Sequence, residues 1–459
     1  MEYRIESDFL GKVKVPKDAY YGPETSRALE NFPISGASMP HEFIKAYAML
    51  KKAAAIANAK AGALDKNLET AICKACNEII SGKLMDQFPV DRFQAGAGTM
   101  TNMNLNEVIA NRALELCGRK KGDYSYIHPN DKVNMSQSTN DTFHCAIHIA
   151  SVIAIQSNLI PSLKRLRSSL LAKARNFSKI TKLGRTHLQD AVPIKLGSEF
   201  SGYSGSIDIA LEEIFHAYKQ LLKLPLGGTA VGTGLNASKG YQENAIAALK
   251  KITGISFSRS TDIFTNMQNI LEEAYLAAAL KSAAIAVRRI SDDIRLLSSG
   301  PRGGLAEIIL PEVEPGSSIM PGKVNPSMAE MMGMVCMQVE GNCYVVESAA
   351  QAGQLELNVF MPVAAANILD SIRIFSSAVD AFNKKCVSGI KPNMTKIKEN
   401  LERNLSIATA LSPYIGYSRA ADIARKAFRE GKTVKEVCLE LGVMEKDKLD
   451  SVLDPDRQS

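Results

Sequence analysis

From Thr265 to Ser299 the chain contains neither Gly nor Pro. A capless run longer than roughly 25 residues predicts a long bundle helix rather than an ordinary surface helix. Ala, Leu and Ile dominate it, with Arg288, Arg289 and Arg295 near its end. Its small residues (Ala277, Ala278, Ala279, Ala283, Ala284) let neighbouring helices approach closely. Three further runs behave alike. Phe143 to Leu183 is broken only at Pro161, Ser327 to Ala352 is rich in Met, and Leu355 to Val387 is interrupted at Pro362. Pro removes a helical hydrogen bond, so each interruption predicts a kink or a fresh start. Helices apolar around several faces must bury more than one side. The pattern predicts a mainly α fold with a central bundle that also packs against other subunits.

The 459 residues suffice for two or three domains and a large core. With 46% hydrophobic and 22% charged residues the chain is globular, not disordered. No uninterrupted apolar stretch of about 18 residues predicts a membrane span, and Met1 to Glu6 lacks the apolar region of a signal peptide. Eight cysteines follow no framework spacing, and the lone Cys73-x-x-Cys76 sits in an amphipathic helical pattern. Free thiols fit a reducing cytoplasm. The net charge of +7 is dispersed, so no nucleic-acid surface is expected, and a mild positive field suits a dianionic small substrate. The region to about residue 139 reads as short helices and loops, and the part beyond Lys391 as shorter helices such as Ala420–Gly431.

The informative residues lie between the long runs. Gly316-Ser-Ser-Ile-Met-Pro-Gly-Lys-Val-Asn-Pro326 is barred from helix and strand by Pro315, Pro321 and Pro326. What remains is a loop with two hydroxyls (Ser317, Ser318), one ammonium (Lys323) and one amide (Asn325). These parts grip a carboxylate and move a proton beside it. Gly96-Ala-Gly-Thr-Met-Thr-Asn-Met-Asn104 brings backbone N–H groups and the Thr99 hydroxyl to an anion, or is a bare turn. Asn134-Met-Ser-Gln-Ser-Thr-Asn-Asp141 offers Ser138, Thr139 and Asn140 just ahead of a long apolar run. It reads both as an N-cap cluster, closed by Asn140 or Asp141, and as an anion site at a helix start. His187, in Gly184-Arg-Thr-His-Leu-Gln-Asp-Ala-Val-Pro193, sits in a polar turn and is either structural or catalytic.

Phosphate-loop, zinc-protease, dinucleotide and Gly-x-Ser-x-Gly patterns are absent from the sequence. The parts list fits cofactor-free acid–base work on a small carboxylic acid, with no metal site assigned and activation by a divalent cation left open.

Over essentially its full length the chain resembles the aspartase/fumarase superfamily. Gly316–Pro326 is similar to its signature, and Gln137–Asp141, Gly184–Asp190 and Gly228–Asn236 to its other blocks. The resemblance implies a mainly α fold of three domains, here residues 1–139, 140–390 and 391–459. It implies a long-helix bundle as the core of a homotetramer, with each active site built from loops of three subunits. It also implies elimination of a group β to a carboxylate, with Ser317 as the carbon-acid base. Thr99, Ser138, Thr139 and Ser318 would then hold the carboxylate that becomes the aci-form, and Asn140 and His187 would lie near the leaving group. Thr186, Lys323 and Asn325 would bind the other carboxylate, Met320 would join the substrate-binding set, and Glu330 would pair with His187.

Gly96-Ala-Gly-Thr99, Ser138-Thr-Asn-Asp141, Met85–Asp91 and the opening Tyr3–Asn31 are aspartase-like, whereas Gly227-Gly228-Thr229 is fumarase-like. The expectation adopted is ammonia elimination from L-aspartate. The alternatives are a fumarate hydratase, a lyase releasing another amine, and a non-catalytic helical assembly protein. Met100, Phe143-His144-Cys145 and Asn269 depart from common superfamily residues. An apolar neighbour such as Met100 would suit a methylated amine.

Overall fold

A computed structural model describes residues 2–459. Helices dominate, and the strands form four two-stranded pairs. Two compact units result, the first from Met1–Pro161, Leu211–Ala284 and Met337–Ser376, the second from Ser162–Ala210, Ile285–Cys336 and Ser377–Ser459.

The first unit opens on a β-hairpin, Tyr3–Asp8 with Gly11–Pro16, that the sequence reading missed. Its Arg4 guanidinium donates to the carbonyls of Pro16, Lys17, Ala19 and Tyr21 at 2.7–3.0 Å. The helices that follow are not short: His41–Lys60, Lys66–Ile80 and Thr99–Leu116 each make several turns. Ala53, Ala54 and Ala57 leave His41–Lys60 slim enough to pack against Lys66–Ile80, Thr139–Ala154 and Tyr241–Thr253. Phe43, Tyr47 and Phe143 form the aromatic centre of this core, Phe43 and Phe143 with ring centroids 4.6 Å apart.

The predicted long runs are present with shifted ends. The first divides at Asn269 into Ile263–Gln268 and Leu271–Leu297. Asn269 donates to the Thr265 carbonyl at 2.6 Å and accepts from the Leu271 N–H at 3.1 Å, so its amide makes the break. Pro161 neither ends nor restarts its helix. A π-turn at Ile155–Leu159 precedes it, and Ile160–Asn176 continues. Pro362 lies in the first turn of Met361–Lys385, where its missing N–H is harmless. The other long helices are Leu196–Leu221 and Ser327–Gln351. Contrary to the sequence reading, Thr139–Asn176 is long and apolar enough to cross a membrane, but 78% of its most apolar window is buried inside the protein, which makes it a core helix.

The second unit contains the hairpin Thr181–Thr186 with Gln189–Lys195 and ends in short helices, Tyr417–Glu430, Val434–Glu440 and Lys446–Val452. Leu411, Ile423, Ala427, Val437 and Leu449 form their core. All eight cysteines are free thiols, six of them buried and only Cys117 exposed. Burial pushes the Cys73 thiol up to about 12.

Candidate active site

In the first unit, two helix starts carry the predicted anion-binding residues. The Gly96–Gly98 turn feeds Thr99–Leu116. Gly98 has φ +84°, and a Cβ there would lie 2.1 Å from Phe143 Cε2, so only glycine lets the turn close against the core. Gly98 offers no side-chain cap, and Gln94 Oε1 takes the Thr101 N–H at 2.9 Å, which leaves the N–H groups of Thr99 and Met100 and the Thr99 hydroxyl for a ligand.

Ser138, rather than Asn140 or Asp141, caps Thr139–Ala154. Its Oγ accepts from the Asn140 N–H at 3.2 Å, while Asp141 Oδ1 accepts from the Ser138 N–H at 3.0 Å, completing a capping box. Thr139 is buried and its Oγ1 accepts from Asn102 Nδ2 at 2.9 Å. Both hydroxyls act as acceptors in these bonds, so each keeps its O–H to donate. Asn140 Nδ2 donates to the Ala230 carbonyl at 2.8 Å, and Asp141 Oδ2 accepts from the N–H groups of Gly227 and Thr229 at 2.9 and 3.2 Å. Those bonds fasten the Leu226–Asn236 loop beside the helix start. Burial pushes the Asp141 carboxyl up to about 6 against these three N–H donors.

Behind this helix start lies a polar network that the sequence reading did not find. Tyr47 Oη bonds Asn102 at 2.8 Å and Thr142 at 2.7 Å. Asn134 Oδ1 receives Lys51 Nζ at 2.8 Å, Asn106 at 3.2 Å and Asn102 at 3.3 Å. Burial brings the Lys51 ammonium down to about 7. Such buried networks fix side-chain positions when fully satisfied. The available signal was Asn102, Asn104, Asn106 and Asn111 on one helix, where asparagine is otherwise unfavourable. The departures Phe143, His144 and Cys145 are all buried in the core.

In the second unit, His187 and Leu188 form the two-residue tip of the hairpin, with φ +55° and +58°. Such tips favour Asn-Gly, so the backbone here is strained at an exposed imidazole. Thr186 is the last residue of its strand and is exposed. A cleft of about 570 Å³ is lined by Arg185, His187, Tyr203 and Arg289. Buried Lys182 on its wall pairs with Glu199 at 2.7 Å and Glu307 at 2.9 Å.

The signature loop folds on itself. The Gly316 N–H donates to the Lys323 carbonyl at 2.8 Å, and Asn325 Nδ2 donates to the Gly316 carbonyl at 2.7 Å. A Cβ on Gly316 would lie 2.3 Å from the Lys323 oxygen. Within the loop, Ser317 Oγ accepts from the N–H groups of Ile319 and Met320 at 3.2 and 3.0 Å. Ser318, Met320 and Lys323 are exposed. Lys323 and Asn325 line a separate cleft of about 320 Å³. Glu330 stands in the first turn of Ser327–Gln351. Among the described residues, no hydrogen bond or ion pair joins it to His187. The candidate residues thus form two sets, Thr99 and Ser138–Asn140 in the first unit and the remainder in the second.

The family profile described as "Lyase" matches residues 11–341, and that described as "Fumarase C C-terminus" matches residues 407–457. The chain belongs to the aspartase/fumarase superfamily of lyases. It is 49% identical over 447 residues to a class II fumarate hydratase of Thermosynechococcus vestitus, covering 97% of this chain and 96% of that one. It is 47% identical over 454 residues to an aspartate ammonia-lyase of a Bacillus species, covering 99% and 97%. The crystal structure of class II fumarase from Schistosoma mansoni superposes with a TM-score of 0.96 at 38% identity, covering 99% of both chains. The mainly α fold is therefore that of the superfamily, at full length. The fumarate hydratase name is the more frequent one among these superfamily relatives, which moves the sequence-based preference away from aspartate.

Proposed function

We propose that the chain interconverts L-malate and fumarate by reversible loss of water. Elimination is supported above all by Ser317, whose Oγ already receives two backbone N–H groups. A serine hydroxyl is a poor base in water. Donors fixed on its oxygen stabilise the alkoxide, as a nest of N–H groups does for any anion. Ser317 then takes the proton from the carbon beside one carboxylate, and that carboxylate becomes a doubly charged aci-form. Thr99, Ser138, Thr139 and Ser318 donate to it, each well-placed donor contributing about 3 kcal/mol. The hydroxyl on the neighbouring carbon takes a proton, with the His187 imidazole as the proposed acid, and departs as water near Asn140. Thr186, Lys323 and Asn325 hold the second carboxylate, with Met320 against the substrate.

Two features favour water over ammonia as the leaving group. One is the run of relatives named fumarate hydratase. The other is Gly228, where aspartases tend to carry Ala. A Cβ there would lie 2.7 Å from Ile263 Cγ2. Ammonia elimination from L-aspartate is the second reading, favoured by Ala97 and Thr139 and by the Bacillus relative. One panel decides between them, with fumarate read by its absorbance. L-malate is expected to give fumarate and L-aspartate to give little. Comparable or faster turnover of L-aspartate would reverse the order. Replacing Ser317 by Ala should lower kcat by about 10³-fold, within the usual range for a lost general base.

The resemblance to the superfamily, with no His187–Glu330 bond among the described residues of one chain, supports active sites completed by other subunits. A homotetramer with three-subunit sites is the proposed assembly, and residues 1–139, 140–390 and 391–459 are the proposed domains.

A further inference from the structure

His144 and His148 stand four residues apart on Thr139–Ala154 and so share one helix face. Both are enclosed, with 1% and 0% of their surface exposed, and neither belongs to the substrate set. Their rings meet edge to face with centroids 4.8 Å apart. Facing them in the first turn of Leu271–Leu297 are Glu272 and the fully buried Glu273. His144 Nε2 lies 3.0 Å and His148 Nε2 3.3 Å from the same oxygen, Glu273 Oε1. One ligand atom from each of the four residues falls within 4.8 Å of all the others. Both Nε2 atoms, both Glu273 oxygens and Glu272 Oε2 are buried without a hydrogen bond among the described residues.

The tautomers sharpen the problem. His148 Nδ1 is 2.9 Å from the Lys223 carbonyl, which can only accept, so Nδ1 carries the proton. In a neutral ring its Nε2 lone pair then points at a carboxylate. Positive charge has to sit between these atoms, either as extra protons on the rings or as a cation. A ring anchored through one nitrogen on a backbone carbonyl, with the other nitrogen free, is how proteins aim an imidazole at a metal. Two of the spacings match a tetrahedral ion, whose bonds of about 2.0–2.1 Å hold adjacent ligands roughly 3.3 Å apart, and the wider pairs, within 4.8 Å, close in on binding. Two neutral imidazoles and two carboxylates balance the charge of one divalent ion. The nitrogen ligands select zinc-like metals over magnesium or calcium, which prefer oxygen.

We infer that His144, His148, Glu272 and Glu273 form a buried structural site for one divalent transition metal of the zinc class. All four positions are filled by side chains, so no place is left for substrate. The ion ties the helix that begins at Ser138–Asn140 to the start of Leu271–Leu297. His144 is one turn beyond Asn140, so the tie steadies the proposed anion-binding helix start.

The test is zinc titration of the chelator-treated full-length protein by calorimetry, with X-ray absorption at the zinc edge. We expect one zinc per chain, two imidazole ligands, and a thermal transition that rises with zinc. His144→Gln and Glu273→Gln should each abolish stoichiometric binding. No stoichiometric zinc, or equal binding by both variants, overturns the site. Should neither variant fold, the wild-type absorption spectrum decides, because fewer than two imidazoles on the zinc overturns it as well.

Discussion

Gly98 and Asp141 show how single residues hold the first half of the candidate site. Any side chain at Gly98 meets Phe143 at 2.1 Å while the backbone sits at φ +84°. Gly98→Ala should therefore destabilise the protein by about 3 kcal/mol, combining overpacking and backbone strain, as measured by denaturant unfolding. Asp141 has a raised carboxyl, about 6 against an ordinary 3.8. The folded state thus keeps a proton that the unfolded state loses. That contribution is complete below about pH 4 and disappears as pH rises through 6, a change of about 3 kcal/mol. Relative to Asp141→Asn, wild-type stability should fall over that window. A flat difference would mean that Asp141 is ionised throughout, held so by its three N–H donors. Neither property was legible in the sequence. Gly98 reads as a flexible residue and Asp141 as a cap, and their burial depends on distant partners.

Among the elements, helices with a one-dimensional signal were readable and those without one were not. Four long helices follow from long apolar runs poor in Gly and Pro, the first of them divided at Asn269, whereas Leu196–Leu221, with Gly197, Gly202 and Gly205, gave no such run. The Thr181–Lys195 hairpin gave no such signal, because its tip is His187-Leu188 in place of a turn-forming pair. Leu188→Gly should relieve that strain and stabilise the hairpin by about 1 kcal/mol, raising Tm while leaving the imidazole in place. The helix Pro23–Asn31 is a second case, for its own cap residue, Gly22, has no side chain. Its N-terminal donors are satisfied by Glu107 from Thr99–Leu116, which accepts from the N–H groups of Gly22, Glu24 and Thr25 and from the Thr25 hydroxyl at 2.6–3.2 Å. Glu107→Gln turns one acceptor into a donor facing N–H groups. It should cost about 2–4 kcal/mol in unfolding free energy.

For the whole molecule, the sequence proposed reacting groups more readily than their arrangement. Ser317, Lys323 and Asn325 stood out because three prolines stripped their loop of regular structure. The N–H groups that hold Ser317 Oγ come from the backbone of Ile319 and Met320, which a side-chain reading does not register. The long helices also leave large apolar groups exposed, including Ile285, Met334, Met337 and Tyr344. In the proposed homotetramer, apolar surface of that kind is what another subunit would cover. Met337→Glu should shift the protein to smaller species in analytical ultracentrifugation and lower activity in parallel. Full activity in a monomer would rule out shared sites.

The thiols described above provide a gauge of this architecture. Only Cys117 is exposed among eight cysteines. A maleimide dye should therefore attach once per native chain, at one known address at the end of Thr99–Leu116. The six buried thiols become reactive only as the packing around them opens, while half-buried Cys73 is slowed by its raised thiol. Mass spectra taken during labelling would then time the loosening of each region separately, with Cys438 reporting on the C-terminal helices and Cys145 on the aromatic core.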